Sequence, residues 1–175
     1  MTAPHPATAP DFAPSPRDRR LRAPLLVTLW ALLAFEAVGG LVIFVARLVV
    51  GATPGETLHV VVGAALTLAY VAYQWGHWRR VAPWRSRLDH ALGLIAALAM
   101  ALTLATGYAL AWPWWELRVV AGRADAVPYP ALTSAAHNLM SMLVLTFVGA
   151  HVAAVLLRDA SARRRRDAAR TVPTE

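Results

Sequence analysis

Residues 131–157 read ALTSAAHNLMSMLVLTFVGAHVAAVLL. This run decides the fold. It holds no Asp, Glu, Lys or Arg, and it is longer than the roughly 20 apolar residues that a helix needs to cross the hydrocarbon core of a bilayer. Pro130 precedes it and Arg158 follows it, so both ends are marked. Its ionisable side chains are His137 and His151, fourteen residues apart. Fourteen steps of about 100° leave an offset of about 40°, so both rings lie on one face, separated by roughly 21 Å along the axis.

Three more blocks of the same kind lie upstream, and together they make an all-α, integral membrane four-helix bundle. The whole chain of 175 residues is 58% hydrophobic and 15% charged, with a mean hydropathy of +0.47; a soluble domain carries about 25% charged residues. Span one is expected from about Pro24 to Val49. It is longer than the apolar region of a secretory signal and shows no small-x-small cleavage site, so it is expected to be retained. Span two is expected to open at Thr53-Pro54-Gly55-Glu56 as a capping box, with Thr as cap and Pro in the first helical position, and to run to about Trp78. Span three is expected from Ser86, with Asp89 three residues on, to about Trp112, ended by Pro113. Residues 1–23 are rich in Pro and Ala without an apolar period, and the segment 159–175 is polar and basic; both are expected to be disordered cytoplasmic tails around one membrane domain over 24–158.

Charge sets the expected orientation. All seventeen basic residues are arginine, as in a chain encoded by a GC-rich genome. Four precede span one, four (Arg79, Arg80, Arg85 and Arg87) separate spans two and three, and six follow span four. The other two loops hold only Arg47, then Arg118 and Arg123. Cytoplasmic loops carry the excess of basic residues, so both termini are expected inside a bacterial inner membrane, with the basic flanks meeting anionic lipid headgroups and no nucleic acid. Trp30, Trp75, Trp78 and Trp84 then fall near the inner interface, and Trp112, Trp114 and Trp115 near the outer one. There are no cysteines. That excludes disulfides, iron–sulfur clusters, thiolate haem ligation and covalent c-type attachment.

The histidines carry the chemistry. His5 lies in the N-terminal segment. The other five sit in or at the ends of spans, where ionisable groups are costly and mark function. His59 and His77 in span two are eighteen residues apart, five whole turns and one face. His59 is about as far into span two as His137 is into span four, and the two spans run in the same direction. Two imidazoles at one depth on neighbouring helices can ligate a haem iron from opposite faces. Gly63 and Ser141, each one turn beyond a histidine, are small enough to leave room for a porphyrin, and Ala97 and Ala101 lie on the face of His90. Arg47, Arg118 and Arg123 are candidates to neutralise haem propionates. Each half of the chain also reads as a helix with a central glycine (Gly39-Gly40 or Gly107), a loop, then a helix that opens with a histidine, a two-hairpin internal repeat that sets Tyr73 opposite His151.

This arrangement resembles the four-helix b-type cytochromes that serve as membrane subunits of formate dehydrogenases and nickel–iron hydrogenases, together with their small stand-alone relatives. The resemblance covers about residues 24–158. It rests on a His-x13-His pair in the fourth helix, here His137 and His151, and a histidine early in the second, here His59. It implies haem b held through iron by His59 and His137, an electron-transfer role rather than a stand-alone enzyme, a membrane quinone and a redox partner subunit. A second haem would use His151. Close relatives often repeat the x13 spacing in helix two, where this chain has Tyr73, so the partner of His151 is either His77 or His90.

Glu36, in the middle of span one, reads either as a proton path or quinone contact or as a protonated carboxyl hydrogen-bonded to a neighbouring helix. Met140 and Met142 read as gap-fillers. Trp114 to Arg118 reads either as a surface segment bordering a quinone site or as an interfacial anchor. The rival to the whole reading is a cofactor-free membrane anchor or assembly subunit of a respiratory complex, its histidines only packing the bundle.

Overall fold

The computed structural model describes residues 23–79 and 88–170, apart from the side chains of Asp89 and of residues 166–170. Four α-helices follow one another: α1 (Pro24–Val50), α2 (Glu56–Trp78), α3 (Leu88–Trp115) and α4 (Ala131–Arg170), with a π-helical turn at Glu116–Val120 after α3. No strand occurs among the described residues. All four helices are long and apolar enough to cross a membrane. At most 17% of any span's apolar window is buried within the chain, as expected where lipid rather than water meets the outer faces.

The helices pack as two hairpins. α1 lies closely along α2 and α3 closely along α4, while α2 touches α3 and α1 touches α4 only lightly. The buried core is a small cluster of Ala99, Met100 and Val144 between α3 and α4, joined by Leu33 of α1 and Tyr70 of α2. Both hairpin loops lie at one end of the bundle, the loop end.

Three boundaries differ from expectation. At the start of α2 the cap is Gly55, left-handed at φ 75°, and Gly51 (φ 71°) closes α1 with its N–H on the carbonyl of Arg47 at 3.2 Å. Two left-handed residues turn the chain within a few steps, a conformation glycine adopts freely. Pro54 therefore lies in the turn, and Thr53 donates its hydroxyl to Glu56 Oε2 at 2.6 Å instead of capping a backbone N–H. α3 does not stop at Pro113 but runs through it to Trp115. A proline inside a membrane helix is accommodated by local adjustment of the hydrogen-bond ladder, and the π-helical turn follows directly. α4 continues past Leu157 to Arg170, where disorder was expected from 159. Alanine and arginine are strong helix formers, and a helix already nucleated extends at little cost. The N-terminal segment to Arg22, residues 171–175, Trp84 and the Ser86–Asp89 cap fall outside what is described.

Candidate functional site: paired histidines in a cavity between the hairpins

α2 carries His59 one turn into the helix, and α4 carries His137 two turns into its own. Their ring centroids stand 6.4 Å apart with planes 85° to each other. The depth and face read from spacing thus bring two side chains 78 positions apart into one place. They line a cavity of about 720 Å³ to which all four helices contribute, within the roughly 300–1,000 Å³ of small-molecule and cofactor pockets. His151, His77 and His90 are not part of its lining.

Each ring is seated over a glycine of its hairpin partner. A Cβ built on Gly107 of α3 would lie 3.2 Å from His137 Cε1, and one on Gly40 of α1 would lie 3.3 Å from His59 Cε1. Further along the second hairpin, a Cβ on Gly93 would come within 3.0 Å of His151 Cε1. Gly107 faces His137, Met100 packs with Val144, and Gly93 faces His151. These are equal seven-residue steps taken in opposite directions along antiparallel helices. The buried Met100–Val144 contact therefore lies midway between the two histidine levels, about 10 Å from each.

The Nδ1 atoms are held differently. His137 Nδ1 lies 3.1 Å from the Thr103 carbonyl and 3.2 Å from Thr106 Oγ1. Thr106 gives its own hydroxyl proton to the carbonyls of Leu102 and Thr103 at 2.8 and 3.0 Å. A carbonyl only accepts, so the His137 proton sits on Nδ1 and leaves Nε2 bare, the arrangement typical of a metal-ligating imidazole. His59 Nδ1 stands 2.8 Å from Glu36 Oε2 of α1, with side chains 24% and 11% exposed. The approach is close but poorly directed, so Nδ1 has no aligned hydrogen bond, and Glu36 Oε1 also has none. Glu36 thus approaches a neighbouring helix, as one of its two readings has it, but without the aligned hydrogen bond that reading expected.

The loop end is closed by a polar cluster that sequence reading missed. Glu56, 8% exposed, accepts from Arg118 at 2.6 Å, from Thr53 at 2.6 Å and from the Tyr129 hydroxyl at 3.2 Å. Burial and then the Glu56 carboxylate hold the Tyr129 phenol above its ordinary range. Arg118 also donates to the carbonyls of Arg123 and Asp125 at 2.9 and 2.6 Å, and Arg123 pairs with Asp125 at 2.7 Å. Two of the three arginines expected to face an anionic ligand are thus engaged in closing the loop. Arg47 does line the cavity, with its guanidinium 5.5 Å over the Tyr129 ring and 3.4 Å from Ser134 Oγ.

The remaining expected residues are apart from this site. His77 stacks on Tyr73 of its own helix at 5.5 Å, and His90 lies one turn before Gly93 in α3. Trp114 is buried, at 7% exposure, and donates to Thr57 Oγ1 at 3.3 Å, so it bridges α3 to α2 rather than anchoring an interface. Trp30, Trp75, Trp78, Trp112 and Trp115 are exposed. No group of three His, Cys, Asp or Glu side chains able to hold a metal ion occurs among the described residues.

Comparison with known protein families, with curated proteins and with solved structures finds no match. The reading of the site therefore rests on its own chemistry.

Proposed function

We propose that this chain is a b-type membrane cytochrome that passes electrons between a membrane quinone and a partner redox protein, with haem held by His59 and His137. The observation that carries the proposal is the 6.4 Å between the two ring centroids. A metal–imidazole bond is about 2.0–2.1 Å and the centroid lies about 1.1 Å behind the ligating nitrogen, so rings on opposite sides of one metal have centroids about 6.3 Å apart. A ligand ring turns about that bond, so perpendicular ring planes are compatible with shared ligation.

The rest of the site fits the same group. Two axial side chains suffice for haem iron, and the glycines beneath both rings leave space where a Cβ would intrude. The cavity is mostly apolar, and Arg47 supplies a cation at its loop end. Haem supplies a one-electron couple when bound; the chain would present both ligands in a mostly apolar cavity, and the Thr103 carbonyl fixes the proton of His137 on Nδ1. The matching glycine–histidine pairs in the two hairpins support their origin as a repeat. The arginine distribution supports termini on the cytoplasmic side. His151, with His77 or His90, would ligate a second haem below the Met100–Val144 contact.

The test is a dithionite-reduced minus oxidised spectrum of the detergent-purified protein, with pyridine haemochrome quantitation per chain. One haem per chain, lost in His137→Ala and kept in His151→Ala, is the result expected of the cavity site alone. Two haems, one lost in each variant, would extend the path to the His151 level. A colourless protein from cells that load other b-type cytochromes would overturn the proposal in favour of a cofactor-free anchor.

A further inference from the structure

We propose that Glu36 is the positioning residue for His59: its carboxylate accepts a hydrogen bond from Nδ1–H of the ring, aims Nε2 at the iron, and favours the oxidised haem by its negative charge. This rests on the cytochrome reading above and adds a role for a side chain that ligates nothing.

The first hairpin is built around this pair. Glu36 and Gly40 lie one turn apart on α1, His59 and Gly63 one turn apart on α2. The His59 ring sits over Gly40, and the Glu36 carboxylate sits over Gly63, where a Cβ would lie 3.6 Å from Oε2. Each large polar side chain is thus received by a glycine of the facing helix, an interlock that fixes both register and partner. A carboxylate within a membrane span is expensive and is retained where it has a specific partner. Here His59 Nδ1 stands 2.8 Å from the carboxylate. Neither that nitrogen nor Glu36 Oε1 has an aligned hydrogen bond elsewhere, which leaves the nitrogen's proton for the carboxylate beside it.

The two ligands would then differ. His137 is backed by a neutral carbonyl and a hydroxyl; His59 is backed by an acid. A carboxylate behind an axial imidazole raises its basicity, and such partners tune both ligand orientation and metal potential. Added negative charge beside the iron stabilises the higher oxidation state.

Redox potentiometry of the haem-loaded protein in detergent tests this with Glu36→Gln and Glu36→Asp. The glutamine keeps the size and an acceptor oxygen but removes the charge; the aspartate keeps the charge at shorter reach. Glu36→Gln is expected to raise the midpoint potential, changing the reduced-to-oxidised ratio at fixed ambient potential at least tenfold, which is 59 mV for a one-electron couple. Its low-spin electron paramagnetic resonance signal is expected to shift as well, and Glu36→Asp to stay nearer the parent. Should Glu36→Gln lose haem, recovery of haem in Glu36→Asp would support the same role, and loss in both would overturn it. A loaded Glu36→Gln protein with the parent potential and resonance would overturn the role of Glu36 and leave the cytochrome reading standing. A parent protein that binds no haem would overturn both.

Discussion

The histidine site depends on what is missing from the opposite helix. Gly107 and Gly40 are the floors on which His137 and His59 rest, and a side chain at either would press into a ring at 3.2–3.3 Å. Gly107→Val is expected to displace His137 and, on the proposed cytochrome reading, to cut haem bound per chain at least severalfold, read from the haemochrome spectrum. Gly149→Ala is the matched control, because a Cβ there meets nothing within 4 Å and removes a helix-interior glycine, which stabilises by about 0.5–1 kcal/mol. At this scale the sequence was partly legible. Helical arithmetic alone brought His59 and His137 to one depth. The glycines were visible as central features of each half, but their pairing with individual rings depends on the register between helices, which no periodicity within one helix encodes. Thr103 and Thr106 were missed for the same reason, although Thr-x-x-Thr-Gly at 103–107 is a polar, small-residue face in an otherwise apolar span.

Among the elements, the loop between α3 and α4 does the work that a cap was expected to do. Glu56 at the first position of α2 gathers donors from its own turn, from the π-helical segment and from the loop before α4, tying the hairpins together at the loop end. Sequence reading gave Glu56 a local partner, Thr53, and that contact exists. It had no means of finding Arg118 and Tyr129, because ion pairs across long separations leave no pattern in spacing. Tyr129→Phe deletes one hydrogen bond to a charged acceptor, worth about 1.5–3 kcal/mol where geometry is good and expected at the lower end for a contact of 3.2 Å. The phenol is held above its ordinary value of 10.0, so the folded state binds its proton more tightly than the unfolded one. That stability is fully present below about pH 10 and is lost as pH rises from there toward the folded value. Thermal unfolding in detergent is therefore expected to show a lower midpoint for Tyr129→Phe at pH 7, and a smaller further fall than the parent between pH 9 and 11. An equal alkaline fall in both proteins would show that Tyr129 does not carry it.

For the whole molecule, two close hairpins meet at a polar seam at the loop end and at the Ala99–Met100–Val144 core, and enclose a cavity between the two. This division explains why four spans were easy to find in sequence while the site needed the structure: apolar length is a property of each helix, the cavity a property of how two pairs meet. Orientation is the remaining property of this scale, and the chain is well suited to its measurement because it contains no cysteine. The loop 121–130 is exposed at Ala126, flanked by Arg118 and Arg123, both of which are engaged with acids of the chain itself. These two arginines contrast in number with the four between α2 and α3 and with the basic end of α4, where Arg163, Arg164 and Arg165 are exposed. Because the excess of arginine marks the cytoplasmic side, Ala126→Cys is expected to react in intact cells with a membrane-impermeant maleimide that reaches the outer face of the protein's membrane. Thr174→Cys is expected to react only after that membrane is opened. The reverse pattern would invert the bundle and put the His59–His137 level on the cytoplasmic side.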